Sequence, residues 1–269
     1  MLVLENTPSN ITLMSHKPQA QKSAPQPPKM PQKKERETLA ICIPLHQRFD
    51  LIKELADQWT LLGYQIVESP KNNIKMVTIC LTGAQAELDA YLDYTDLKAP
   101  LLVSLIQEIV PNKPLGAKFN ATLALAKNYT YALLMGQDNL MNLAGFNALY
   151  NLQVHCAGFY GTLIKNQSTG KVVQFTSGAF NGQQLNLIGA GRLLHRTFLE
   201  AINYKIFSPT LNKGLDITLD QQILKGNYTW AGIDCSLNHN QPWLLDIKTP
   251  ESLNAWHWFE NCKPVEFCL

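Results

Sequence analysis

Residues 131–135, Tyr-Ala-Leu-Leu-Met, make an unbroken apolar run that stops at Gly136, and Gln137, Asp138 and Asn139 follow at once. A short apolar run closed by a turn residue reads as a strand buried on both faces, which calls for a sheet with helices on either side. In an open α/β sheet, ligands gather at the carboxyl ends of the strands. A carboxylate placed there, with an amide beside it, offers hard oxygen atoms suited to Mg²⁺ or Mn²⁺, and such a cation in turn holds a diphosphate. The competing reading is local: Asp138 opens a turn or caps the next helix.

The preceding chain supplies the rest of such a sheet. Residues 38–45, TLAICIPL, form another apolar strand, stopped by Pro44. His46, Gln47 and Arg48 then open a helix whose apolar positions Phe49, Ile52, Leu55, Trp59 and Leu62 recur at three and four, with Gly63 as its expected end. Short strands are expected at 65–68 and 76–81, which makes a βαβ run and a doubly wound α/β sheet. Residues 84–94 read as a helix, and 101–109 read as strand or helix, with strand preferred. Residues 117–127 form a helix, entered through Pro114 and Gly116, that feeds the strand before Asp138. Downstream, 142–154 reads as a helix, and 158–165 with 171–176 as a hairpin around NQSTG. A helix is expected over 192–203, and a charged strand in WLLDIKT.

Several side chains on this frame suit an anionic ligand. His46 and Arg48 lie where the first strand meets its helix, a place for a phosphate or a base. Lys118, with Asn120 beside it, sits in a first helical turn, where a cation is disfavoured unless an anion is near. Gly189 and Gly191 permit close backbone approach, and Arg192 follows them with a guanidinium able to pair with phosphate. Asp216 and Asp220, four apart, share a helix face; one of them can take a proton from an attacking hydroxyl, or one can cap the helix while the other faces water. Asp246 and Lys248 alternate on an apolar strand, so both point to one face. They pair with each other, or they reach a metal and a diphosphate, Asp246 then replacing the ligand that Asn139 fails to supply. Phe159, Tyr160, Phe175 and Phe180 fit either sugar stacking or core packing. His195 and His257 have no partner pattern.

Residues 1–37 differ in composition. They are rich in proline and carry six basic and three acidic residues, so the remaining chain bears −1 of the total +2. The tail is expected to lack order, and residues 38–269 to form one domain with halves at 38–141 and 142–269. A folded part that is not basic argues against a broad nucleic-acid footprint, although the tail can touch a polyanion. No apolar run nears the roughly 20 residues of a membrane span. The start MLVLENTPSN lacks the pattern of a secretory signal. The six cysteines are scattered with no CxxC spacing, which suits buried thiols in a reducing cytoplasm.

In order, the strand ending CIPLHQR, the helix PLGAKFNATLALAKN and the strand YALLMGQDN resemble glycosyltransferases of the GT-A fold, close to the family 2 type. The blocks GAGRLLHRTFLEAI, NKGLDITLDQQI and LLDIKTPESLNAWHWF are similar to those of glycosyltransferases from phages and mobile elements, and the likeness covers residues 38 to about 260. The resemblance implies a Rossmann-like open mixed sheet flanked by helices. It also implies a nucleotide-sugar donor bound by Pro44, His46, Arg48, Gly116, Lys118, Asn120, Gln137, Arg192 and Lys248. Mn²⁺ or Mg²⁺ would be held by Asp138, Asn139 and Asp246, and Asp216, with Asp220 second, would activate a hydroxyl on a glycan or on modified phage DNA in a host cytoplasm. One departure matters: in Gln137-Asp138-Asn139 only Asp138 carries charge, so Lys118 and Arg48 take more of the phosphate charge or a further ligand comes from elsewhere. Two other readings stand beside this one. A nucleotidyltransferase needs a glycine-rich basic loop after the first strand, where this chain has PLHQR; a binding protein that has lost catalysis agrees with the substituted tripeptide.

Overall fold

The computed structural model describes residues 13–16, 36–95, 103–177, 185–235, 243–250 and 256–265. Strand β1, Leu13–His16, comes first, and β2, Glu37–Pro44, opens the main fold. Helix α1 (Phe49–Glu68), β3 (Ile74–Gly83), α2 (Gln85–Asp93), β4 (Val103–Ile109), α3 (Leu115–Ala124) and β5 (Tyr131–Leu134) complete the first half. The second half holds β6 (Asn139–Met141), α4 (Leu143–Asn151), the hairpin β7 (Cys156–Asn166) and β8 (Val172–Thr176), β9 (Arg192–His195) and α5 (Arg196–Ala201). It closes with α6 (Leu215–Lys225), β10 (Trp230–Asp234), β11 (Leu244–Lys248), a 3₁₀ turn at Trp256–Trp258 and β12 (Lys263–Val265).

The described strands form one mixed sheet whose main path runs β1-β10-β7-β9-β5-β2-β3-β4. β2 is parallel to both β3 and β5, the arrangement expected for the first half. β9 lies antiparallel between β5 and β7, and β11 runs antiparallel to β6 and parallel to β7. Alternation along β2 sends Leu39, Ile41 and Ile43 into one core with α1, and Ala40 and Cys42 into another with Leu123, Phe198 and Ile223. Apolar packing on both faces explains why β2 reads as a continuous apolar run. Cys42, Cys80, Cys156 and Cys235 are buried free thiols.

Four local expectations are corrected. Residues 65–68, expected as a strand, are the last turn of α1. Gly63 does not end that helix: a Cβ there would lie 3.2 Å from Val103 Cγ1 and 3.3 Å from Val77 Cγ1, so glycine lets the helix approach the sheet, and Ile66 continues the buried stripe. Residues 192–195, expected as helix, are β9, because pairing with β5 satisfies an edge that would otherwise stay open. Leu13–His16, inside the tail expected to lack order, pairs antiparallel with β10. The rest of 1–35 lies outside the described residues, as does Phe180. Among the described residues no helix is long and apolar enough to cross a membrane.

Candidate functional site

A cleft of about 590 Å³ opens at the carboxyl ends of β2 and β5, lined by Pro44, His46, Arg48, Asp138, Asp216, Asp246 and Lys248 among others. Its floor is built by amides. Gln137 Oε1 accepts from the His46 N–H, and Gln137 Nε2 donates to the Arg48 carbonyl at 2.8 Å, so one side chain clamps the loop between β2 and α1. Asn139 Oδ1 accepts from the Gly136 N–H at 2.6 Å and closes the turn after β5. The Trp59 indole of α1 donates to the Asn139 carbonyl at 2.9 Å. Pairing of β6 with β11 sets Asp246 opposite Asn139, and the Ile247 N–H donates to the Asp138 carbonyl at 2.8 Å. Two carboxylates distant in sequence thus meet at the rim of the sheet.

Two cations meet them. Arg48 Nη1 lies 3.0 Å from Asp138 Oδ2; Lys248 Nζ lies 2.6 Å from Asp246 Oδ2 and 3.9 Å from Asp138 Oδ2. The Lys248 ammonium also stands 5.8 Å from the centre of the Phe259 ring. Burial pushes the Asp138 carboxyl up, but Arg48 and Lys248 outweigh it, and the net pKa is lowered. Burial, only partly offset by Lys248, and then the neighbouring Asp138 push Asp246 up to about 6. Burial opposes the charge on Lys248, yet Asp246 and Asp138 raise its pKa and hold it protonated. Asp246 Oδ1 is buried and meets no hydrogen-bond donor among the described residues.

The expected dication fits this donor set poorly. Asn139 turns its oxygen into the Gly136 turn and is 2% exposed. The facing oxygens of Asp138 and Asp246 already share the Lys248 ammonium. The four side chains already sum to zero charge, so the attraction of a dication to the two carboxylates, about 8 kcal/mol each at about 4 Å and an effective dielectric of about 20, is offset by repulsion of similar size from Lys248 and Arg48. The orphaned Asp246 Oδ1 offers a metal a single oxygen. Among the described residues no group of three or more His, Cys, Asp or Glu side chains could hold a metal ion.

The remaining candidates divide. Asp216 sits exposed in the first turn of α6, its Oδ1 accepting from the Ile217 N–H at 3.0 Å, beside Gly189 in the cleft lining. Asp220 is committed elsewhere: Arg192 Nη1 lies 2.7 Å from its Oδ1, and the Leu185 N–H donates to its Oδ2 at 3.0 Å. Burial pushes the Asp220 carboxyl up, and Arg192 offsets part of that. Arg192 is fully buried and also donates to the carbonyls of Ile188 and Leu187, so it braces the 185–192 loop rather than facing a phosphate. Lys118 is likewise buried; its ammonium donates to the Leu45 carbonyl and to Asn112 Oδ1 at 2.5 Å, with Glu87 Oε2 at 3.6 Å. The counter-charge that a lysine in a first helical turn calls for is Glu87. Asn120 exchanges two hydrogen bonds with the Phe207 backbone, at 2.7 and 3.0 Å, and a Cβ on Gly116 would lie 2.1 Å from the Ser208 carbonyl oxygen. Both residues dock α3 on residues 207–208 outside the cleft. Phe159 and Tyr160 are core residues, whereas Phe175 lines the cleft.

Glu87 and Asn112 carry no expectation from the sequence, and Trp258, expected with Trp256 and Phe259 to pack a terminal helix onto the core, is corrected: of the three, Phe259 is buried and Trp258 is not. Glu87 accepts from the Gln47 N–H at 2.6 Å, the Ala84 N–H at 2.8 Å and Asn112 Nδ2 at 2.9 Å, which ties the Arg48 loop to α2. Its only sequence signal is an acid at the third position of a helix. Trp258 stands 61% exposed on the cleft wall, and nothing in the local sequence Trp256-His257-Trp258-Phe259 distinguishes it from the buried Phe259.

With this geometry in view, comparison with solved structures is informative about fold. A structure of GalNAc-T7 with UDP, GalNAc and Mn²⁺ superposes over 81% of this chain and 45% of that one, with a TM-score of 0.52 at 11% identity. The fold is that of the GT-A glycosyltransferases. A Staphylococcus aureus TarS fragment, residues 1–349 in complex with UDP-GlcNAc, gives a TM-score of 0.49 at 14% identity over 80% of this chain and 60% of its own. A mycobacterial protein gives 0.46 at 10% identity over 74% and 65%. The chain therefore spans less than two thirds of the length of each of these structures. No protein-family model matches the sequence, and no curated protein does.

Proposed function

We propose that the chain is a glycosyltransferase that takes its donor, a nucleotide-sugar, in the cleft at the ends of β2 and β5. The observation that carries this reading is the meeting of Arg48, Asp138, Asp246 and Lys248 at that rim, on a GT-A frame. A leaving diphosphate gains negative charge as the sugar departs, and fixed cations beside it stabilise that charge more than they stabilise the bound donor. His46, whose pKa burial and Lys118 lower, stays neutral at the nucleotide end; its Nδ1 is buried without a hydrogen-bond partner among the described residues.

Across the cleft, Asp216 is the base in an inverting displacement. The acceptor oxygen bonds to the anomeric carbon, its proton passes to the Asp216 carboxylate, and the bond to the diphosphate breaks with its electron pair leaving on the nucleotide. Asp220, held by Arg192, keeps α6 in place for that step. The acceptor hydroxyl belongs to a glycan or to modified DNA, a choice that rests on the sequence resemblance.

Released nucleoside diphosphate, measured with UDP- and GDP-sugars in the presence of each acceptor class, tests the reading directly. Asp216→Asn is expected to slow transfer by about 100-fold or more while leaving donor affinity within about twofold. Arg48→Met is expected to weaken donor binding by about tenfold. A protein that neither binds nor turns over any donor in the panel does not have this function. Binding without turnover, unaffected by Asp216→Asn, selects a nucleotide-sugar-binding protein instead.

A further inference from the structure

The charged cluster at the sheet rim is complete without a metal. Two carboxylates and one dication sum to zero, and so do Asp138, Asp246, Arg48 and Lys248. Lys248 is 6% exposed, and its ammonium stands between the two carboxylates, at 2.6 and 3.9 Å from their facing oxygens. That is the position a dication takes when it bridges two acids. The strand register holds it there: Asp246 and Lys248 project from the same face of β11, and the Ile247 N–H donates to the Asp138 carbonyl at 2.8 Å. The Lys248 carbonyl accepts from Gln167 at 3.0 Å, which pins the end of the strand.

We infer that Lys248, assisted by Arg48, occupies the place of the divalent cation, so that this cleft binds a nucleoside diphosphate without metal. The inference deepens the glycosyltransferase reading and rests on it for the identity of the ligand, but not for the exclusion of the dication. An ammonium has three donors and no open coordination sites. It therefore holds a diphosphate by charge and hydrogen bonds, with Asp138 and Asp246 fixing its position.

The test has a metal arm and a nucleotide arm. In the first, free Mn²⁺ is followed by its paramagnetic resonance as it is titrated against the full chain without nucleotide. The unsubstituted protein is expected to take up no more Mn²⁺ than Asp138→Ala, whereas Lys248→Met gains one site that is lost again in Lys248→Met/Asp246→Asn. In the second, calorimetry with UDP and GDP is run in EDTA and in Mn²⁺. Affinity of the unsubstituted protein is expected to agree within about twofold between the two buffers; in Lys248→Met it falls about tenfold in EDTA and recovers in Mn²⁺. Uptake of one Mn²⁺ by the unsubstituted protein that depends on Asp138, or nucleotide affinity raised about tenfold by Mn²⁺, overturns the inference. These two measurements decide it even where Lys248→Met does not fold. If neither nucleotide binds in either buffer, the glycosyltransferase reading fails while the Mn²⁺ titration still decides whether the dication is excluded.

Discussion

Gln137 bears no charge, yet it aims the charges of the cleft. Its amide makes two hydrogen bonds to the backbone of the Arg48 loop, a geometry that only a carboxamide, donor and acceptor together, provides. Gln137→Glu removes the donor and Gln137→Ala removes both; loss of the clamp is expected to cost about 1–3 kcal/mol in urea unfolding and to weaken UDP binding. Lys118 makes a contrasting case at the same scale. It was expected to meet an external anion, and its ammonium is instead consumed by Glu87, Asn112 and Leu45. Lys118→Met leaves Glu87 buried and unpaired, so a loss on the order of 3–5 kcal/mol is expected, partly recovered by Glu87→Gln in the same chain. A Lys118→Met protein of unchanged stability would contradict this account.

At the scale of elements, β9 and α5 were legible as one helix because RLLHRTFLEAI is apolar at helical spacing, and no local signal marks the change at His195. The change comes from β5, which offers β9 an edge, and from His195, which ends the strand and caps the helix. His195 Nδ1 accepts from the Thr197 N–H at 3.2 Å, so the ring must stay unprotonated at that nitrogen. Burial, with the nearby His155 and Arg196, lowers its pKa to about 4. The unfolded chain therefore takes up a proton below about pH 6.5 that the folded chain refuses. Stability is full above that pH and is expected to fall by on the order of 3 kcal/mol as pH drops to about 4. Urea midpoints across that range check it: His195→Asn keeps a cap and should flatten this part of the pH dependence.

For the whole molecule, the sheet is closed at one end by a strand from a segment that composition alone marks as unstructured. β1 covers the outer edge of β10. Deleting residues 1–16 is expected to lower the melting temperature by about 2–4 °C, as one short pairing is lost from a domain of this size. Calorimetric melting that is unchanged by the deletion would show that the pairing contributes nothing. The proposed site is carried by the ends of β2 and β5 and by β11, none of which pairs with β1 or β10, so nucleotide affinity should not move with the truncation.

In the sequence by itself, local periodicity and turn residues, acting within a few positions, were enough to mark the parallel strands β2, β3 and β5, the turn carrying Asp138 and the hairpin of β7 and β8, whereas β4 reads as strand or helix and its pairing with β3 makes it a strand. The sequence also placed Asp138, Asp216, Asp246 and Lys248 near strand and helix ends, where α/β folds gather ligands. Which charges face the cleft and which are buried against a partner depends on contacts between elements far apart in the chain. Lys118 and Arg192 look like Arg48 and Lys248 in the sequence, and all four meet carboxylates; what separates them is that Arg48 and Lys248 line the cleft whereas Lys118 and Arg192 are buried behind Glu87 and Asp220. Pairing between distant charges follows from strand register and helix packing, and a low-dielectric interior makes an ammonium or guanidinium take whichever carboxylate that packing delivers.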